Sequence, residues 1–389
     1  MKPIINHFQR FFSILYYKRK KDKFLSNTSI KELNDLSEYS FLNNFGKIHY
    51  FEKDKLWLVT GYDEIKYILK NEHVFTTSEL YKNIDHLEIL MGELNDRSRM
   101  VRKMIKEIIS EKLFAQLEIF LNLESENLIN ILLQKNEINF QKEFSEKITL
   151  KVMCFFFGFK DDLTTDLLKK YEPEMQDFEK IMQFFDFIYN NNAVFEENRL
   201  ADQLKKLIDE KTISVEEAGL ISRIVWFAGI DTTSLLISNL LISIIKDKSI
   251  VVKLKQNPKL HPKYIEEILR LSPPLDSAMR FIKTDTLIGN IKFTKGSYIY
   301  LDFRMANKDV ILFENAKSLS LEKNKKRHLS FGYGVHQCLG MGLARFEANS
   351  LLPYLFTISN QFEIKETKYE RDFGVVVFNK ITNLTLRKK

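Results

Sequence analysis

Cys338 lies within Phe331-Gly332-Tyr333-Gly334-Val335-His336-Gln337-Cys338-Leu339-Gly340, with three glycines around it. The whole chain holds 13 glycines in 389 residues, so their clustering here is a local demand. Glycine permits backbone conformations and close contacts that a Cβ forbids. From Leu339 to Ile358, apolar Leu343, Phe346, Leu351, Leu352 and Leu355 predict a helix directly after the thiol. A thiol at a helix N-terminus meets free N–H groups and the positive end of the helix dipole, which favour a thiolate. A thiolate held rigidly is a soft ligand for a transition metal. It is also one of the axial ligands that haem iron accepts.

A second chemical feature sits in a long apolar segment. Ser214 and Glu217 form a capping-box pattern that starts a helix running to about Lys246. At ~1.5 Å per residue it spans about 50 Å, and it is apolar on most faces, so it should cross the core. Its middle reads Ala228-Gly229-Ile230-Asp231-Thr232-Thr233. Glycine there costs about 1 kcal/mol relative to alanine. One return is room for a planar ligand against the helix backbone; the other is a close helix–helix contact. The Thr232 hydroxyl can reach back to the Ala228 carbonyl and bend the helix. Asp231 is expensive in a buried helix unless paired or functional, and an acid beside a hydroxyl can relay protons.

A third motif is Glu267-Ile268-Leu269-Arg270, a carboxylate and a guanidinium on one helix face. Exposed, such a pair contributes about 0–1 kcal/mol. Buried, it is a charge-assisted anchor for the irregular stretch 307–330 that leads to the thiol loop.

Around these motifs the sequence predicts a mainly α chain with small β-sheets (α+β). Strands over 47–51 and 55–60 form a hairpin, and a helix covers 63–70. Residues 98–250 are almost continuously helical, with breaks near 134–140, 158–164 and 189–194. A helix over 262–271 stops before Pro273-Pro274. Short strands follow at 286–293 and 297–302, and residues 374–386 read as a closing hairpin. We divide the chain into a basic, amphipathic segment, 1–25, and a single domain, 26–389. In the first, Phe8, Phe11, Phe12 and Leu15 fall at helical spacing before Lys18-Arg19-Lys20-Lys21. Two readings stand for it: a membrane-surface helix, or a helix packed on its own domain.

Composition excludes several classes. Two cysteines, Cys154 and Cys338, argue against a disulfide framework and for a reducing compartment, the cytoplasm. Cys154, in an apolar run, reads as a buried small hydrophobe. The net charge is +7, but no nucleic-acid motif accompanies it; a basic patch for an acidic redox protein is the more specific expectation. No segment reads as a transmembrane span, because Arg223, Asp231 and Asn239 interrupt the most apolar helix.

In this order, the three motifs resemble the cytochrome P450 family of haem-thiolate monooxygenases. Trp57-Leu58-Val59-Thr60-Gly61-Tyr62-Asp63-Glu64 and Ala306-Asn307-Lys308-Asp309 add to the likeness, which runs from about residue 40 and looks like the soluble bacterial branch. The resemblance implies the P450 fold, with haem b between the long helix and the cysteine loop. Cys338 would be the axial ligand of the iron. Phe331 would pack near the sulfur, and Gly332, Gly334 and Gly340 would let the loop approach the haem. Ala228 and Gly229 would form the oxygen groove, where Asp231 and Thr232 deliver protons. Glu267 and Arg270 would be structural, completed by Lys323 or Arg327. His336, Arg280 and Arg102 would hold the propionates. Ser98 stands where the family usually has histidine, and Arg97 and Arg99 compete with Arg102.

The implied activity is insertion of one atom of dioxygen into a hydrophobic small molecule, by hydroxylation or epoxidation. Electrons would come from NAD(P)H through a separate reductase and a ferredoxin- or flavodoxin-type protein. The substrate could be free or tethered to a carrier protein. Pocket walls would come from residues 78–94, 172–195, 275–281 and 374–378, and from the long helix near Trp226 and Phe227. The alternatives are a peroxide-driven peroxygenase, which the Asp231–Thr232 pair argues against, and a non-catalytic haem sensor.

Overall fold

The computed structural model describes residues 18–30, 38–81, 88–92, 94–160, 178–191, 193–321, 326–373 and 376–389. Strands β1 (Ile48–Phe51) and β2 (Leu56–Val59) pair antiparallel as the expected hairpin. Helix α1 (Tyr62–Lys70) follows, then the two-residue strand β3 (Phe75–Thr76). Helices α2 (Asp96–Ile108) and α3 (Glu111–Leu132) precede β4 (Glu137–Asn139) and α4 (Glu146–Phe157). Then come α5 (Phe178–Asn190), α6 (Leu200–Asp209), α7 (Val215–Lys246), α8 (Lys248–Gln256) and α9 (His261–Leu271). The second half adds β5 (Leu275–Ile282), β6 (Thr286–Ile288), β7 (Ile291–Phe293) and β8 (Tyr298–Asp302). Helix α10 (Met341–Gln361) and the hairpin β9 (Phe362–Phe373) and β10 (Val376–Lys388) close the chain.

The strands join into one eight-stranded sheet, with the path β1-β2-β8-β5-β10-β4, β3 on β5 and β9 on β10. Only β2–β8 is parallel among these pairings. Both chain ends therefore feed one sheet, as the sequence suggested. Two details differ. β5 carries no clean alternation and was not expected; its burial comes from pairing on both sides with β8 and β10. The closing hairpin starts at Phe362, so residues 374–386 supply one of its strands and not both.

α7 has the predicted cap: Ser214 Oγ accepts from the Glu217 N–H, and the Glu217 carboxylate accepts from the Ser214 N–H. It is the one helix among the described residues long and apolar enough to cross a membrane, and most of it is buried against other helices. Trp226 shows the packing: it meets Phe157 and Phe185 edge-on in the main helical core. A second cluster ties α1 to the sheet, and a third gathers Leu25, Tyr39 and Leu42 over β1 and β2. Leu25 and Phe24 belong to a helical stretch, 18–27, that packs on this third cluster. Phe8, Phe11, Phe12 and Leu15 lie outside the described residues.

Candidate active site

The cysteine loop and α7 meet at one cavity of about 320 Å³, to which the third motif contributes only Leu269. One wall is α7, presenting Ile224, Val225, Ala228, Gly229 and Thr232; another is Phe331, Cys338, Leu339 and Gly340. The α7 stretch around Trp226 and Phe227 contributes Ile224, Val225 and Ala228 to the lining, while Trp226 itself packs into the aromatic core.

The cysteine wall is built from backbone. The Cys338 N–H donates to the Phe331 carbonyl at 2.9 Å, and Gly332 N–H to Leu329 O at 2.7 Å. Gly334 has φ +76°, and a Cβ there would lie 2.5 Å from the Leu69 carbonyl oxygen. Gly334 therefore docks the loop on the end of α1, which corrects the expectation that it opens the loop to a planar group. At Gly340 a Cβ would meet no protein atom within 4 Å, as expected where a ligand approaches. Arg345 lies over the Phe331 ring, 4.5 Å from its centroid.

The Cys338 sulfur has accessible surface, but that surface faces the cavity. Burial pushes the thiol pKa up; the Gly340 and Met341 N–H groups and the Arg102 and Arg345 guanidiniums offset it only partly. The helix terminus alone thus does not make a thiolate. Coordination by a metal cation would do so outright.

On α7, Thr232 Oγ1 donates to the Ala228 carbonyl at 2.7 Å, the predicted back-bond. Gly229 lines the cavity beside Ala228 and also lets α4 pack closely on α7: a Cβ there would come within 2.3 Å of Met153 Sδ. Asp231 is half-buried and is absent from the cavity lining; its carbonyl accepts from Ser234 Oγ at 3.1 Å.

One edge of the cavity is cationic. Arg280 is buried, with its Nη1 donating to Met279 O at 2.7 Å and its Nε without a hydrogen-bond partner. Arg102 reaches across from α2 and donates to the carbonyls of Val335 (3.0 Å) and Gln337 (2.9 Å). Arg97 pairs with Glu217 and Arg99 with Asp96, so neither competes for this place. Ser98 is the N3 residue of the α2 capping box with Asn95, which gives the serine its own structural use. His336 Nε2 lies 3.1 Å from Glu72 Oε1.

Glu267 and Arg270 are buried and doubly bonded, at 2.8 Å for each contact. Arg270 also donates to the carbonyls of Asn307, Asn315, Ala316 and Ser318, and the Ser320 N–H donates to Glu267. The side chain of Arg327 is exposed, and Lys323 lies outside the described residues.

These features fit haem. A slot between a small-residue helix face and a thiol loop suits a planar macrocycle, and a buried guanidinium with an unpartnered Nε at its edge suits a carboxylate. A sequence profile of the cytochrome P450 family matches residues 258–368. Cytochrome P450(BM-1) of Priestia megaterium is 24% identical over 352 residues, 83% of this chain and 86% of that one. CYP109E1 from Bacillus megaterium, solved in complex with testosterone, superposes with TM-score 0.77 at 22% identity, covering 92% of this chain and 100% of that one. P450BioI, solved with an acyl carrier protein bearing hexadec-9Z-enoic acid, gives TM-score 0.77 at 21% identity over 94% and 100%. The chain belongs to the cytochrome P450 family. It is a haem-b monooxygenase that takes its electrons from separate redox partners.

Three residues of this P450 site escaped the sequence reading. Glu72 follows α1 and is delivered beside His336 by the Gly334–Leu69 contact. Burial acts to raise its pKa, and His336, Arg280 and the Thr77 N–H overcome that and hold it low. Asn307 bonds the Leu329 N–H and Ser330 Oγ, tying the irregular stretch to the cysteine loop. Glu347, on α10, lines the cavity, and burial pushes its pKa up to about 8. A single Glu has no motif around it, so only the fold brings these carboxylates to the site. Glu347 falls at helical spacing after Leu343, the one available signal.

Proposed function

We propose that Cys338 is the axial ligand of the haem, that Arg280, His336 and Arg102 serve its propionates, and that Thr232 and Asp231 manage protons on the opposite face. One observation carries this reading: Cys338 and the hydrogen-bonded Thr232–Ala228 pair line one cavity. Haem, once bound, supplies reductive activation of dioxygen. Ala228 leaves space beside the bent helix, and Thr232 holds a hydroxyl there. Asp231, one residue back, exchanges protons with solvent on the far side of α7. Phe331 and Leu339 exclude water from the sulfur, and Gly332 and Gly340 shape the loop. Because the cavity draws on residues from Leu69 to Glu347, residues 26–389 work as one catalytic domain.

Leu90, Met91, Met153, Phe156, Ile224 and Val225, which line the cavity, are apolar, which fits a hydrophobic substrate. The P450BioI complex supports a carrier-tethered substrate as a second form. A ferredoxin or flavodoxin in the cytoplasm is the electron donor we assign.

Thr232→Ala tests the proton role. Positioned acid–base groups contribute about 10²-fold at the low end, and solvent water replaces part of that. Product formed per NAD(P)H, measured with surrogate redox partners, should fall about tenfold while peroxide rises. Unchanged coupling would remove Thr232 from the mechanism.

A further inference from the structure

A polar seam runs between α7 and the start of α4, on the side away from Cys338. A single π-type turn, Gln141–Ser145, leads into α4. Such turns are rare and recur at functional sites. Gln141 and Ser145 are buried. Gln141 Nε2 donates to Ser234 Oγ and to Glu146 Oε1, each at 3.2 Å. Ser238 Oγ donates to Gln141 Oε1 at 2.7 Å and lies 2.8 Å from Ser145 Oγ. Ser234 Oγ in turn donates to the Asp231 carbonyl. One amide thus links the carboxyl of Glu146 to the backbone of Asp231. Buried polar networks of this kind are costly unless satisfied, and here each named side chain has a partner.

We propose that Glu146 is a positioning residue for proton supply at Asp231, its carboxyl oriented by Gln141 and acting on Asp231 through space. This rests on the proton role proposed for Asp231. When Asp231 gives a proton toward the cavity it becomes a carboxylate, and it regains the proton from solvent. An ionised Glu146 opposes that carboxylate, so Asp231 keeps its proton to higher pH; a neutral one does not. Burial raises the Glu146 pKa first, Asp231 raises it further, and Gln141 and Lys142 pull it down. Among the described residues, charges on the neighbouring elements have partners of their own. α3 presents Glu124, paired with Lys151; Glu143, on the same turn, pairs with Lys135; and Arg199, which caps α6, stacks on Phe155. The strand β10 meets the turn near Asn383, which is neutral.

The experiment compares haem-loaded wild type, Glu146→Gln, Asp231→Asn, the double variant and Glu143→Gln. The first readout is product per reductant across pH. Glu146→Gln should move the alkaline limb to lower pH, the shift should vanish in the Asp231→Asn background, and Glu143→Gln should leave the limb in place. The second readout is unfolding of the full chain against pH. An acid whose folded pKa is raised costs stability as pH climbs from its unfolded value through its folded one. Glu146→Gln should abolish that part of the decline. A stability loss equal at every pH with no limb shift makes Glu146 a packing residue and overturns the proposal, as does an equal shift in the Asp231→Asn background or with Glu143→Gln. If Asp231→Asn itself leaves the limb unmoved, the role of Asp231 fails first, and the proposal falls with it.

Discussion

On the Cys338 wall of the cavity, most anchoring contacts end on backbone atoms. Arg102 holds the carbonyls of Val335 and Gln337, Arg270 holds four carbonyls between Asn307 and Ser318, and Gly334 presses on the Leu69 carbonyl. On the α7 wall, what neighbouring elements bring to the helix is side chains: Met153 lies against Gly229, and Gln141 bonds Ser234 and Ser238. Backbone anchors fix one loop conformation and tolerate little substitution. Side-chain contacts can repack. The comparison assigns rigidity to the wall that must place one sulfur, and adjustability to the wall that must admit dioxygen, protons and a substrate.

The largest effect should come from Arg270→Ala. It leaves Glu267 charged, buried and uncompensated, a loss of about 3–5 kcal/mol. Thermal unfolding and haem content should both show it; a loss below about 1 kcal/mol, the range of exposed pairs, would break the comparison at its root.

A paired test sharpens it. Gly334→Ala forces an L residue into a left-handed backbone, about 1–2 kcal/mol, against a carbonyl that cannot move aside. Gly229→Ala meets only the thioether end of Met153, a flexible side chain that can turn away. Gly334→Ala should cost more stability and more haem retention than Gly229→Ala. The reverse order would mean that α7, not the loop, is the rigid wall.

The same contrast explains what could be read in the sequence. The cysteine loop, the α7 cap, the Thr232 back-bond and the Glu267–Arg270 pair are local patterns, and each depends on neighbours a few residues away. Gly229 is legible as a close-approach position, and only packing shows that Met153, from a helix far away in the chain, shares that space with the cavity. Glu72 and Glu347 are long-range members with no motif of their own, and Asn307, within Ala306-Asn307-Lys308-Asp309, shows its role only through its bonds to Leu329 and Ser330. The thiolate was credited to the helix N-terminus because burial, which opposes it, is a property of the folded site. β5 escapes such a reading because burial does not alternate along it: Asp276 and Ser277 are both buried, so it carries no period-two signal.

Ferrous–CO absorption of the haem-loaded protein tests the central assignment most directly, since the band position reports the axial ligand. Wild type should show the red-shifted Soret band of a thiolate-ligated haem, and Cys338→Ala should abolish it. The same band persisting in Cys338→Ala, or its absence from intact wild type, would contradict Cys338 as the ligand.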